Sequence, residues 1–134
     1  MRRRAGGRRR LARGDSGAAA VEFAIVVPVF LLIVFGIIEF GFVFNAQISL
    51  TQAVREGVRA GAVGDAVSEA AMIDRFEDAY NGIGGGVLSG SATPCSPGDN
   101  DGDATLTGQL AFTTPISRFG PFTLESEAVM RCGG

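Results

Sequence analysis

GAAAVEFAIVVPVFLLIVFGIIEFGFVF, Gly17 to Phe44, is the stretch that decides the fold of this chain. As a helix, its uncharged run from Phe23 to Ile38 spans roughly 24 Å, and extension to Phe44 brings this to roughly 33 Å, against a hydrocarbon core of about 30 Å. Each large apolar residue favours membrane insertion by roughly 0.3 to 0.6 kcal/mol, whereas a central acidic charge costs about 3 kcal/mol. The stretch therefore predicts one helix that crosses a bilayer.

Two carboxylates lie inside this stretch, those of Glu22 and Glu39. Ionisable side chains are rare in membrane helices and are functional candidates by default. The two residues are about 26 Å apart along a helix axis, so each can lie near an opposite interface and extend its side chain to water. From the residues alone, a functional role and a boundary position both stay open.

Charge is distributed unevenly along the chain. Residues 1–17 hold seven Arg and one Asp, a formal +6, and residues 18–134 hold five Arg and thirteen acidic residues, a formal -8, which together give the net -2. An Arg cluster directly before an apolar helix indicates a cytoplasmic N-terminus and an extracytoplasmic C-terminal part. Arg is the only basic residue type, and Ala and Gly are abundant, a composition typical of a GC-rich bacterial genome. Together with the one apolar helix, this predicts a single-pass protein of a bacterial cell membrane. No aromatic residue is interleaved with the arginines, which argues against nucleic acid as a partner.

The helical pattern continues beyond the membrane to about Ala62. In NAQISLTQAVREGVRAGAVG, apolar residues recur with a period near 3.6 and polar residues fill the other side. Gly57 and Gly61 lower the helix propensity, and Gly64 is expected to stop the helix. The predicted apolar side consists of Ile48, Leu50, Ala53, Val54, Val58 and Ala62. This pattern divides the chain into a basic leader (1–17), a transmembrane and neck helix (18–64) and a small extracytoplasmic domain (65–134).

The extracytoplasmic domain is predicted to begin with a second helix. Asp65 is expected to cap this helix, and Asn81 and Gly82 to end it. Its expected apolar side consists of Val67, Ala71, Ile73, Phe76 and Tyr80.

The rest of the domain is predicted to be a loop and two strands. The Gly-, Ser-, Pro- and Asp-rich run over residues 82–103 is typical of a loop. Ala104 to Thr114 and Phe122 to Cys132 have strand-like composition, and the second alternates as a half-buried strand does. We therefore expect an α+β fold in which a small antiparallel sheet packs on the exposed end of the long helix.

The two cysteines, Cys95 and Cys132, both fall in the part that we expect to lie outside the membrane. A disulfide persists in that environment, and it would stabilise a domain whose core is thin. We therefore favour a Cys95–Cys132 bridge, with two free thiols as the alternative.

Residues that could carry chemistry are few. The run DNDGD, Asp99 to Asp103, has carboxylates at alternate positions as calcium loops do, but Gly102 is misplaced for an EF-hand and Leu110 stands where a bidentate Glu should be. A solvated acidic turn is the favoured interpretation and calcium the alternative. The chain has no His and no Lys to act as a base, and no phosphate- or dinucleotide-binding motif. We expect neither an enzyme nor a cofactor, and no small-molecule substrate.

The junction between the leader and the membrane helix, Gly17-Ala18-Ala19-Ala20-Val21-Glu22-Phe23, carries a family resemblance. Here the sequence resembles the TadE-like family, pilin-related proteins of tight-adherence (Flp-type) pilus systems. The resemblance runs through GAAAVEFAIVVPVFLLIVFGIIEFG and TQAVREGVRAG, roughly residues 17–61, with a weaker echo in EAVMR.

The resemblance implies a processed assembly subunit. A prepilin peptidase would cleave after Gly17 on the cytoplasmic side and leave Ala18 as the new N-terminus. Glu22 would then pair with the N-terminal ammonium of a neighbouring subunit, whereas Glu39 has no assigned role. The implied function is that of a minor pilin-like subunit (a pseudopilin) whose partners are other pilin-like subunits and pilus-assembly platform proteins. The alternative is a membrane-tethered extracytoplasmic binding module.

Overall fold

The computed structural model describes residues 15–64, 66–83, 86–98, 101–113 and 121–133. It contains two helices, α1 (Asp15–Ala62) and α2 (Glu69–Ala79), and three strands, β1 (Gly86–Thr93), β2 (Asp103–Thr113) and β3 (Pro121–Arg131). The expected α+β class with a long N-terminal helix, a second helix and an antiparallel sheet is confirmed. The chain divides into two compact units, residues 1–36 and residues 37–134, and the division falls inside α1.

In the first unit, every described residue from 15 to 36 is helical, and Pro28 is accommodated within the helix. The segment of α1 from Gly17 to Ala62 is long and apolar enough to cross a membrane, and its most apolar window is exposed throughout. A helix that is hydrophobic all round needs an apolar environment, either lipid or other helices. The described part of this unit is therefore an apolar helix whose exposed surface requires such an environment.

In the second unit, the sheet has the order β1–β2–β3, with both strand pairs antiparallel. The C-terminal part of α1 and the helix α2 cover one face of this sheet, and the opposite face is exposed. Inward-facing residues alternate along β2 with exposed or half-buried ones, as expected for a half-buried strand. The largest fully buried side chains are those of Phe76, Phe112, Leu50, Met72, Leu106, Leu110, Val54 and Val58.

Glycines allow α1 to approach its neighbours closely. A Cβ at Gly57 would lie 2.6 Å from Leu106 Cδ1 and 3.1 Å from the Met72 carbonyl oxygen, and one at Gly108 would lie 2.6 Å from Val54 Cγ2. The prediction that Gly57 and Gly61 mainly weaken the helix misses this role, because both are buried in the packed interface. Gly64, with φ +81°, lies just beyond the end of α1, as predicted for a stop residue.

Replacing Gly57 with alanine is expected to destabilise the second unit. Overpacking costs about 1–3 kcal/mol, which outweighs the roughly 1 kcal/mol that alanine adds to helix propensity. Thermal unfolding of the full chain in detergent, followed by circular dichroism, measures the change. Gly41→Ala is the matched control in the same helix, because a Cβ there has no atom within 4 Å. Equal unfolding temperatures for the two variants would contradict the packing role.

The second helix begins later than predicted. Its N-cap is Ser68, whose Oγ accepts a hydrogen bond of 3.2 Å from the Ala71 N–H, so the prediction of Asp65 as the cap is wrong. The second helix begins late because the turn that follows α1 extends to Ala66, whose N–H donates to the Ala60 carbonyl at 2.9 Å. Asp65 itself lies outside the described residues. Val67 consequently precedes the helix and is exposed, while the buried residues of α2 are Met72 and Phe76.

The strand β1 occupies a segment, GVLSGSAT, for which the sequence predicts a loop. Its stability comes from tertiary contacts: it pairs with β2 along its whole length, and its Ala92 N–H donates to Glu69 Oε1 at 3.2 Å. Glycine suits the position of Gly90, because a Cβ there would lie 3.0 Å from the Thr107 carbonyl oxygen. The two predicted strands agree with β2 and β3 to within one residue. Ile48, predicted on the apolar side of the long helix, is exposed instead.

Tyr80, the only tyrosine of the chain, has a buried hydroxyl with no hydrogen-bond partner among the described residues. Burial raises the pKa of this phenol above its usual value of 10.0. The folded state then holds the phenolic proton more tightly than the unfolded chain does. The resulting stability is fully present below pH 10 and is lost as the pH rises through the raised pKa.

Absorbance titration of the phenolate tests this expectation without interference from other tyrosines. The pH at the midpoint of the Tyr80 titration should be higher for the folded chain than for the same chain in denaturant. Tyr80→Phe should remove the corresponding fall in stability above pH 10. A titration midpoint of the folded chain at or below that of the unfolded chain would contradict the argument that burial raises the pKa.

A disulfide joins Cys95, after β1, to Cys132, directly after β3. The backbone continues this connection, since the Cys132 N–H donates to the Gly102 carbonyl at 2.8 Å and the Gly133 N–H donates to the Ala62 carbonyl at 3.4 Å. Residues 132 and 133 are thus linked to the connection between β1 and β2 and to the last turn of α1. We call this arrangement the C-terminal clasp.

Candidate assembly and processing site

Gly17, Ala18 and Glu22 lie in the first turns of α1. Ala18 and Glu22 are four residues apart, so the helix places them on the same side, about 6 Å apart along the axis. All three residues are exposed, and a Cβ at Gly17 would have no atom within 4 Å. The peptide bond between Gly17 and Ala18 is therefore not shielded by side chains of the described part of the chain.

The surface around Glu22 is apolar. Val21, Phe23, Ile25 and Val26 are each more than 60% exposed, and large exposed apolar side chains continue to Ile38. A contiguous apolar surface of this length is far larger than a monomeric soluble protein exposes. Either lipid or neighbouring helices must cover it.

The two arginines of α1, Arg55 and Arg59, are more than thirty residues from Glu22 along the same helix and cannot pair with it. Between Arg13 and Arg55 the sequence contains neither Lys, Arg nor His. A lone carboxylate at membrane depth is costly, and a paired one is much less so. A cation for Glu22 must come from the residues before Gly17, from a free amino group at a new N-terminus, or from another molecule.

The other sequence-predicted residues lie in the second unit. Glu39 is half-buried there, in contrast to the exposed Glu22. Cys95 and Cys132 form the disulfide of the C-terminal clasp. Of the acidic run, Asp99 and Asn100 lie outside the described residues, and the described part of the chain has no group of three or more His, Cys, Asp or Glu that could hold a metal ion.

The structure adds a groove of about 550 Å³ between the polar side of α1 and β3, lined on the helix side by Gln52, Arg55 and Arg59. The sequence pattern predicts a polar face for these residues, but the wall formed by residues 127–130 of β3 follows only from the tertiary fold. Glu127 on that wall balances part of the positive charge. This groove presents mixed charge and no cluster of catalytic groups.

Comparison with known families supports the resemblance. The sequence profile of the family described as TadE-like protein matches residues 17–59, about a third of the chain. This range contains Gly17, Ala18 and Glu22 and ends within the part of α1 that packs on the sheet. Comparisons with curated proteins and with solved structures gave no significant match.

Proposed function

We propose, from the TadE-like match over residues 17–59, that this chain is a minor pilin-like subunit of a tight-adherence pilus or a related secretion apparatus. In this proposal a prepilin peptidase cleaves it after Gly17, and it then acts in assembly through helix packing. The observation that carries the proposal is Glu22: an exposed carboxylate on an apolar helix, with no basic residue between Arg13 and Arg55.

Cleavage would supply the missing cation. Hydrolysis of the Gly17–Ala18 peptide bond consumes one water, leaves a carboxylate on Gly17 and creates an amino group on Ala18 that is protonated at neutral pH. The same step removes the leader with its formal +6. The mature chain would then carry one ammonium and one carboxylate within a single helical turn at the start of α1.

Assembly would pair these charges between neighbouring subunits. In a low-dielectric bundle, the ammonium of one chain and Glu22 of the next are each unfavourable alone and attract each other strongly. Such a pair sets the axial register of two helices more than it adds net stability. Gly36 and Gly41, each with no atom within 4 Å of a Cβ position, would allow a neighbouring helix to approach closely.

The experiment that tests the proposal is an intact-mass measurement on the protein from its native host. We expect a mature chain that starts at Ala18. A chain that retains MRRR in cells with an active prepilin peptidase would contradict the proposal. A membrane-tethered binding module would need neither Gly17 nor Glu22, so an unchanged phenotype of both Gly17→Leu and Glu22→Ala would favour that alternative.

A further inference from the structure

The second unit has an end at which apolar side chains are exposed next to the last apolar turns of α1. These side chains belong to Phe44, Ile83, Val87 and Phe122, which we call the basal patch. Their exposed fractions are 66%, 59%, 71% and 46%, respectively. They come from four separate segments of the chain, so contacts between these segments must show that they share one end.

Two hydrogen bonds set the level of Ile83 and of β3 along α1. The Ile83 N–H donates to Asn45 Oδ1 at 2.9 Å, which holds Ile83 beside the residue that follows Phe44. Gln47 Nε2 donates to the Glu125 carbonyl at 3.2 Å. Since the Gly133 N–H reaches the Ala62 carbonyl, β3 and α1 run in the same direction.

Phe122 therefore lies further toward the membrane stretch than Glu125 does. Three residues of strand cover about 10 Å, which corresponds to six or seven residues of helix. Counted back from Gln47, this places Phe122 at about the level of Phe40 and Gly41, in the last apolar turns of α1.

The sheet register brings Val87 to the same end. Phe122 pairs with Phe112, and Phe112 pairs with Gly86, the residue before Val87. On the exposed face of the sheet, Val87 shares its row with Ala111 and Thr123, and the next row, Ser89, Gln109 and Glu125, is polar throughout. Phe122, which pairs with the buried Phe112, lies at the same end on the face that the helices cover.

We infer that the basal patch inserts into the interfacial layer of the lipid bilayer from which α1 emerges. This inference rests on the proposed membrane-spanning role of the stretch from Gly17 to Phe44. Aromatic and apolar side chains at the level of a helix exit favour the headgroup region, because burial there removes their apolar surface from water. Lipid is the favoured occupant because the patch continues along α1 into exposed apolar residues, which are themselves unfavourable in water.

Exposed apolar side chains at the opposite end of the unit provide the comparison. Val67 and Val129 are 66% and 57% exposed, similar to the basal patch. Val67 follows Ala66, whose N–H is bonded to the Ala60 carbonyl, and Val129 lines the groove beside Val58. They therefore lie about 20 Å along α1 from the level of Asn45. If the basal patch contacts lipid, side chains at the two ends will differ in their contact with lipid. If the patch is only exposed to water, the two ends will behave alike.

Single-tryptophan variants of the full chain test the inference, because the natural chain contains no tryptophan. Ile83→Trp and Phe122→Trp probe the basal patch, Val67→Trp and Val129→Trp probe the opposite end, and Phe30→Trp probes the membrane stretch. Each variant is reconstituted into phosphatidylcholine vesicles with and without brominated acyl chains. An unfolding temperature equal to that of the natural chain selects the variants that fold, and Val87→Trp replaces a basal variant that does not.

Brominated lipid is expected to lower the emission of Ile83→Trp and Phe122→Trp by about twofold or more, as for aromatic residues at a membrane interface. The emission of Val67→Trp and Val129→Trp should stay unchanged. Quenching of Phe30→Trp alone would overturn the inference and leave the proposed membrane helix intact. Absence of quenching in all variants, including Phe30→Trp, would refute the membrane helix as well. Basal emission that is blue-shifted but unquenched, and that changes on dilution, would assign the patch to neighbouring subunits instead of lipid.

Discussion

Gly17→Leu is expected to leave the protein at full length in its native host, so that the mature species starting at Ala18 disappears. The reason is specific to the cleavage step. Gly17 is exposed, and a Cβ there has no atom within 4 Å, so we expect the substitution to leave packing within the described chain undisturbed. Loss of cleavage would therefore report recognition of the junction by the peptidase. The proposed function predicts an all-or-none change in the mass spectrum.

Gly36→Leu is the matched control for this experiment. Gly36 lies in the same helix and likewise has no atom within 4 Å of a Cβ position, but it is remote from the cleavage junction in sequence. The control should be cleaved at the normal position. Normal cleavage of Gly17→Leu, or equal loss of cleavage in both variants, would contradict the assignment of Gly17.

Removal of the disulfide is expected to lower the free energy of unfolding of the second unit by about 3–4 kcal/mol, the value for closing a loop of this length in the chain-entropy model. The two cysteines are separated by 37 residues in sequence. The loss should be large relative to the total stability, because the core is built from few large side chains. Cys132 is buried, so Cys132→Ala also removes packing around the end of β3. The backbone hydrogen bonds of Cys132 and Gly133 in the clasp are then less constrained.

Denaturant unfolding of the full chain in detergent measures this effect for the Cys95→Ala/Cys132→Ala double variant. The natural chain should resist thiol labelling until it is reduced, and its mass should rise on reduction by that of about two hydrogen atoms, one on each sulfur. The variant should be insensitive to reductant, which controls for direct effects of the reagent. Equal unfolding midpoints for the variant and the oxidised natural chain would show that the bridge contributes little.

The parts of the fold that the sequence predicts are those with a strong local signal. Helix α1 follows from a long apolar run and a regular 3.6-residue period, so its end at Ala62 is predicted correctly. The alternation in β2 and β3 likewise reflects which face of each strand is buried, and this pattern is visible without knowledge of the partner strand.

The parts that the sequence does not predict depend on distant partners. Strand β1 contains two glycines and two serines and has little intrinsic strand preference, so its formation depends on pairing with β2 and on Glu69. Gly57 shows its packing role only once Leu106, far away in sequence, is placed against it. The choice of Ser68 over Asp65 as the N-cap depends on how far the turn after α1 extends.

The same distinction applies to the two surfaces for which we propose functions. Gly17, Ala18 and Glu22 are neighbours in sequence, so their pattern is recognisable in the amino-acid sequence alone, and the TadE-like profile covers all of them. The basal patch is formed by residues from α1, from the segment after α2 and from two strands. No local sequence pattern links these positions, and only the hydrogen bonds and the strand register bring them to one end.

The C-terminal clasp has a mechanical consequence. The strand β3 lies beside α1 and runs in the same direction, and its end is held to the last turn of α1 by the Gly133–Ala62 hydrogen bond and to the β1 side by the disulfide. A pull along α1 against the sheet would therefore load the contacts between α1 and β3 lengthwise, in shear. Shear strains these contacts together, and the covalent bridge limits how far the strand end can slide. The second unit is thus built to resist tension along the axis of its long helix.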